Sequence, residues 1–175
     1  IDIRDYLNKL ILSHDPFKKG LSFDKFLTFY KHKFIIINVK SEGIEEKIFK
    51  ILKKRKIKNY FFLDSSFPFL VKYSKNLTKK FAIRVSDLES YKTSFNLETK
   101  VNWIWLDCFK KFQISSKLLK KMKQLKYKIC IVSPGLHGRK ITKKDINFLK
   151  KNKTYIDMVC DKKEKFEIWK KLFRN

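Results

Sequence analysis

Short apolar runs recur along the chain at intervals that fit alternating strands and helices. Their starts lie about 21 to 26 residues apart, which is the length of a strand followed by a crossover helix. Their nearly continuous apolarity is typical of strands buried on both faces of an all-parallel sheet. The pattern predicts seven strands, at 11–14, 35–40, 60–64, 81–87, 103–107, 129–133 and 155–159.

Amphipathic helical patterns fill most of the gaps between these runs. Ser22 is the expected N-cap of a helix whose apolar positions repeat with helical spacing over 23–30. Thr142 is the expected cap of a later helix, and Asp161 with Glu164 has the form of a capping box. Strands and helices therefore alternate along the whole chain.

This alternation, without a Gly-rich phosphate loop of the G-x-G-x-x-G or Walker type, predicts an α/β fold of the parallel (β/α)8 TIM type. We expect one domain over 1–175. An eight-fold barrel normally needs about 200 to 250 residues. Residues 1–4 form one more short strand in this interpretation, so the first β/α unit is expected to lie before Ile1.

The formal net charge of +26 raises the question of a nucleic-acid partner. Only five of the 43 basic residues are arginine, the better bidentate partner of phosphate and base edges, and the chain has 17 Phe and one alanine. This bias favours an AT-rich coding sequence over a nucleic-acid surface. We therefore expect no specific nucleic-acid partner, while weak binding to anionic surfaces stays open.

The cysteines and the hydropathy indicate where the protein works. The three cysteines, Cys108, Cys130 and Cys160, lie in or beside apolar runs without metal-ligand spacing, as expected for buried free thiols in a reducing compartment. No apolar run reaches the roughly 18 residues of a membrane span. We expect a cytoplasmic protein without a transmembrane segment.

Polar residues follow the predicted strands, and the carboxyl ends of barrel strands are where barrel enzymes carry their catalytic groups. The alternative is that these residues only end strands and cap helices. The polar residues at the predicted strand ends are His14, Asn38, Lys40, Asp64, Arg84, Asp107, Ser133 and Asp161.

Three short motifs in the first quarter of the chain combine into a more specific pattern. Asp2 lies in D-I-R-D, His14 follows about ten residues later in S-H-D-P, and Asn38 and Lys40 belong to N-V-K. The combination resembles the glycerophosphodiester phosphodiesterase family of phospholipase C-like phosphodiesterases. The later segments, such as WIWLD at 103–107, are similar to a divergent branch of that group.

The resemblance implies a role for each matching residue. Asp2 would be the second acid of an E-x-D pair that binds a divalent metal, Mg²⁺ or Ca²⁺, and His14 would be a catalytic histidine. Lys40 would contact the phosphate. Asn38 departs from the metal-binding Glu of the family, and an amide oxygen coordinates without bringing charge. The family's other histidine, in an H-R-G turn, would precede Ile1.

Two further residues, which come from later parts of the chain, complete the candidate site. Arg84 is expected to bind the phosphate together with Lys40, and His137, in a Gly-flanked loop, is a further substrate contact or a second acid/base group. An exposed loop histidine with no role in the site is the alternative for His137.

We therefore expect an enzyme, a phosphoric diester hydrolase. The reaction would be metal-assisted hydrolysis of a glycerophosphodiester or a related lipid or polyol phosphodiester. Three alternatives remain: a degenerate barrel that only binds ligands, a polyanion-binding protein, and an aldolase that forms a Schiff base on Lys40.

Overall fold

The computed structural model describes residues 1–73, 80–97, 100–111 and 114–173. It divides into two compact units, Ile1–Ala82 and Ile83–Asn175. The assignment of 1–175 to one domain stays a prediction. No helix within the described ranges is long and apolar enough to span a membrane.

The first unit is built on a five-stranded mixed sheet. Its strand order is β3-β2-β1-β4-β5, with β1 antiparallel to β2 and parallel to β4, which is in turn parallel to β5. Ile3, Ile37 and Phe62 lie in the core of this unit. The elements are β1 (Asp2–Tyr6), β2 (Lys9–Leu12), β3 (Leu21–Ser22), α1 (Phe23–Phe29), β4 (Ile35–Val39), α2 (Glu45–Lys54), β5 (Tyr60–Leu63) and α3 (Phe67–Tyr73).

The second unit is built on a separate, all-parallel sheet of four strands in the order β6-β7-β8-β9. β7 is buried along its whole length, as its apolar sequence predicts. The elements are β6 (Ala82–Val85), α4 (Lys92–Phe95), β7 (Trp103–Leu106), α5 (Ser116–Gln124), β8 (Lys128–Val132), α6 (Lys143–Lys151), β9 (Met158–Cys160) and α7 (Phe166–Phe173), with 3-10 helices at Pro134–His137, Lys153–Tyr155 and Lys163–Lys165.

The prediction of an eight-fold parallel barrel was wrong. The described strands form a mixed five-stranded sheet and a separate parallel sheet of four, because the run predicted at 11–14 belongs to a hairpin strand, β2, that runs antiparallel to β1. The turn between β1 and β2 consists of Leu7 and Asn8, both with positive φ. His14 therefore follows a strand that runs opposite to β4, and not another strand of a parallel rim.

The helix starts predicted at Ser22 and Thr142 are confirmed. The Ser22 hydroxyl accepts a hydrogen bond from the Lys25 N–H at 3.1 Å, and Thr142 forms a complete capping box with Asp145. The capping box predicted at Asp161 is absent, because its carboxylate accepts from the Trp169 indole N–H at 2.6 Å and from the next backbone N–H.

Candidate functional site

A buried carboxylate, Asp107, lies at the centre of a hydrogen-bonded cluster in the second unit. One of its oxygens accepts from Arg84 and from the indole N–H of Trp105, the latter at 3.3 Å. The other pairs with Nε2 of His137 and accepts from the Cys108 backbone N–H at 3.0 Å. Asp107 is only 3% exposed, so its charge is balanced by these neighbours and not by water.

The strand order explains why these residues meet. Arg84 lies on β6, Asp107 directly follows β7, and His137 ends the 3-10 helix after β8. The carboxyl ends of neighbouring parallel strands lie along the same edge of a sheet, so three side chains far apart in sequence converge. The turn that carries His137 is capped by the Ser133 hydroxyl, which accepts from Gly135 N at 3.1 Å.

The contact with Asp107 fixes one side of the His137 ring and leaves the other side available. In the tautomer whose Nε2–H donates to the carboxylate, Nδ1 carries a lone pair, and Nδ1 makes no hydrogen bond to any described residue. The side chain is 22% exposed and packs against the Phe109 ring, 4.6 Å between centroids. A histidine oriented by a buried carboxylate is a common proton-transfer arrangement.

Arg84 links the buried cluster to the loop after β6. Its guanidinium contacts Asp107, and its Nε lies 3.8 Å from Glu89, whose carboxylate also accepts from the Ser86 hydroxyl at 2.8 Å. The arginine thus joins a buried acid to an exposed one. Its predicted contact with phosphate stays a prediction.

A cavity of about 340 Å³ adjoins the cluster at Asp107. The residues that line it come from the carboxyl ends of β6 and β7, from the segments that follow them and from α5. They combine hydroxyl and carboxylate groups with an apolar side. Among them are Ser86, Glu89, Ser90, Tyr91, Leu106 and Ile114.

The Asp87 carboxylate connects the loop after β6 to the loop after β7, beside this cavity. Its carboxylate accepts from the backbone N–H groups of Phe109 at 2.9 Å and Lys110 at 2.8 Å. Burial alone would raise the pKa of Asp87, but backbone hydrogen bonds, led by that of Lys110, outweigh it and hold the pKa below its usual value. The carboxylate therefore keeps its charge and the loops stay joined at neutral pH.

The first unit brings together three of the sequence-predicted residues. Asp2 and Asn38 are partners in the parallel pairing of β1 with β4, and the Asn38 side-chain amide donates to the Asp2 carboxylate at 2.7 Å. The Lys40 ammonium lies 3.8 Å from the same oxygen. The resemblance therefore selected residues that are neighbours in space.

The polar groups of this trio do not fit a divalent metal. Asp2 is its single carboxylate, the amide of Asn38 donates to it, and Lys40 supplies a positive charge beside the same oxygen. Nowhere in the described ranges are three or more His, Cys, Asp or Glu side chains grouped so that they could hold a metal ion. The need for Mg²⁺ or Ca²⁺ stays a prediction.

The backbone next to His14 is hydrogen-bonded to Asp2, but the His14 side chain points into solvent. The backbone N–H of its neighbour Ser13 donates to the Asp2 carbonyl at 3.2 Å, while the imidazole is 71% exposed and pairs with Asp15 at 2.9 Å. Asp15 also accepts from Lys18 at 2.7 Å. Its hydrogen bonds with His14 and then Lys18 lower the pKa of Asp15 to about 2. The catalytic role of His14 stays a prediction.

One buried acid, Glu45, was not predicted from the sequence. Glu45, in the first turn of α2, is 0% exposed, and neither of its oxygens makes a well-formed hydrogen bond to a described residue. Burial raises its pKa. Its position in an E-E pair at a helix start resembles ordinary N-terminal charge, so no pattern in the sequence indicates its burial.

Searches of protein-family models, of curated proteins and of solved structures each give no match.

Proposed function

We propose that this chain hydrolyses a phosphodiester, a glycerophosphodiester or a related lipid or polyol phosphodiester, and that His137 is its proton-transfer group. The observation that carries the proposal is the cluster of His137, Asp107 and Arg84 at the carboxyl edge of the parallel sheet. The motifs around Asp2, His14 and Lys40 support the same class of substrate.

Hydrolysis in this site needs a proton acceptor and a proton donor. Nδ1 of His137 takes a proton from the attacking water as the water oxygen bonds to phosphorus, and returns it to the alcohol oxygen as the P–O bond breaks. Asp107 holds the ring and stabilises the imidazolium formed between these steps. The Arg84 cation offsets negative charge that builds on the phosphoryl oxygens.

The neighbouring cavity suits the alcohol part of such a substrate. Its volume of about 340 Å³ falls within the range of small-molecule sites. Hydroxyl groups of a glycerol or another polyol find acceptors in Glu89 and partners in Ser86 and Ser90. The apolar side at Leu106 and Ile114 packs against the carbon chain.

A second candidate function is a degenerate fold that binds a ligand without turnover. The observation in its favour is the trio of the first unit, in which Asn38 and Lys40 already contact one oxygen of the Asp2 carboxylate. A carboxylate paired in this way is a weaker ligand for a metal, since the metal must displace the ammonium.

Phosphorus-31 NMR of the purified protein with a panel of glycerophosphodiesters tests the proposal. We expect a phosphomonoester to accumulate, with a rate that depends on the alcohol group. A second arm adds EDTA and then Mg²⁺ or Ca²⁺, which tests the predicted metal. Unchanged spectra across the panel, with each metal present, would contradict hydrolysis and favour the binding function.

A further inference from the structure

The two most exposed large apolar side chains among the described residues also have the least usual backbones. Leu7 is 78% exposed and Phe17 is 93% exposed, and their φ angles are +47° and +61°. Bulky residues seldom adopt this left-handed conformation, because the Cβ is crowded there. The remaining described non-glycine residues with positive φ are polar: Asn8, Lys56, Asp64 and Lys126.

Leu7 projects from an ordered turn. It occupies the tip of the β1–β2 hairpin, where Asn or Gly is the usual choice for a left-handed position. The carbonyl of the next residue, Asn8, accepts from the Lys47 ammonium at 2.7 Å, which ties the tip to α2. The exposed Leu7 side chain therefore extends into solvent from a turn whose position is stabilised by this hydrogen bond.

Phe17 projects from a second ordered loop, after β2. Asp15 holds this loop through its contacts with His14 and Lys18. At the far end, Gly20 presses so closely on β2 that an added Cβ would lie 2.1 Å from the Leu12 carbonyl oxygen. Like Leu7, Phe17 extends into solvent. Its loop is stabilised at one end by the contacts of Asp15 and at the other by the close packing of Gly20 on β2.

The spacing and the charge around these two side chains indicate the partner. They flank a four-residue strand, β2, so about 13 Å of strand separates their loops, too far for one small pocket to receive both. Residues 7–20 contain Lys9, Lys18 and Lys19 against the single acid Asp15. Apolar tips flanked by lysines suit a flat, anionic and partly apolar surface.

We propose that Leu7 and Phe17 anchor the protein to an anionic lipid bilayer, with the adjacent lysines attracted to its headgroups. This inference does not depend on the proposed hydrolysis, since it concerns binding alone. It assigns a role to two side chains whose exposure and backbone strain are both unfavourable in water.

Cosedimentation with vesicles tests the proposal. The wild type is expected to bind vesicles that contain phosphatidylglycerol and to bind pure phosphatidylcholine much more weakly. Phe17→Gly and Leu7→Asn should each lower the partition coefficient about tenfold, the loss expected when most of one apolar side chain is no longer buried. Glycine and asparagine fit the left-handed backbone, so the Tm of each variant should stay equal or rise.

Phe29→Ser is the matched control, because Phe29 belongs to the same unit and is 67% exposed but lies on α1 with ordinary helical backbone. Circular dichroism confirms that each variant is folded before binding is compared, and Phe17→Ser repeats the test with a different side chain. The proposal is overturned if the wild type does not bind the anionic vesicles, if it binds both vesicles equally, or if Phe17→Gly and Phe29→Ser bind alike.

Discussion

Replacing Asp107 by Asn removes one negative charge from the centre of the buried cluster while keeping the shape of the side chain. Each carboxylate oxygen contacts two nitrogen atoms. One oxygen contacts nitrogens of Arg84 and Trp105, and the other contacts nitrogens of His137 and Cys108. In whichever direction the new amide turns, its NH₂ faces two nitrogen groups. The native geometry therefore offers no arrangement in which Asn satisfies all four partners.

The size of the effect follows from the burial. Breaking a buried ion pair by removing one partner costs about 3–5 kcal/mol, and Asp107 is 3% exposed. A typical domain has a free energy of unfolding of about 5–15 kcal/mol, so this loss is a large fraction of the total. We expect Asp107→Asn to lower the free energy of unfolding by about 3–5 kcal/mol.

Urea denaturation followed by tryptophan fluorescence measures this loss. Glu167→Gln is the control, because the exposed pair of Glu167 with Lys170 contributes less than about 1 kcal/mol. A free energy of unfolding for Asp107→Asn within about 1 kcal/mol of the wild type would refute the account of a buried network held by this carboxylate.

Further predictions concern other buried groups. Burial raises the pKa of Glu45, so the native state binds this proton more tightly than the unfolded chain does, and stability falls as pH rises from about 4.5 through the raised pKa. Glu45→Gln should remove this pH dependence of the free energy of unfolding and stabilise the protein by about 1–3 kcal/mol at pH 8. If denaturation measured across this pH range showed the same pH dependence in the variant as in the wild type, the prediction would be contradicted. Gly20→Ala should cost about 1–3 kcal/mol or more, measured by urea denaturation, because its Cβ would overlap the Leu12 carbonyl; an unaltered midpoint would be the opposing result. Burial raises the pKa of Cys108 and of Cys130, so neither should react with a disulfide reagent at pH 8 until the protein unfolds, and rapid labelling of the native protein would show that they are accessible.

The sequence located most of the strands and two helix starts, but not the sheet topology. Strands such as Tyr60–Leu63 are apolar along their whole length, which predicts burial on both faces whatever the strand order. The β1–β2 hairpin was not predicted, because its turn residues, Leu7 and Asn8, differ from the Asn-Gly pair that usually identifies a tight turn. Without that signal, the spacing of apolar runs favoured one parallel barrel.

The candidate site was predictable in part. The N-V-K and D-I motifs predicted Asp2, Asn38 and Lys40, which the pairing of β1 with β4 makes neighbours, and their roles stay predictions. Asp107 was recognised only as a polar strand end, because a carboxylate that holds both a histidine and an arginine looks the same in sequence as a helix cap. Its partners lie 23 and 30 residues away, and only the strand order brings them together.

The three histidines of the chain provide the most direct test of the proposed chemistry. The measurement is kcat/KM for a hydrolysed glycerophosphodiester in His14→Gln, His32→Gln and His137→Gln, with each variant shown to be folded. His137→Gln should lower kcat/KM by about 100-fold or more, the usual contribution of a general acid/base group, while the exposed His32 serves as the control and should have no effect. A loss in His14→Gln as well would support its predicted catalytic role. Equal values of kcat/KM for His137→Gln and His32→Gln would contradict the assignment of His137 as the proton-transfer group.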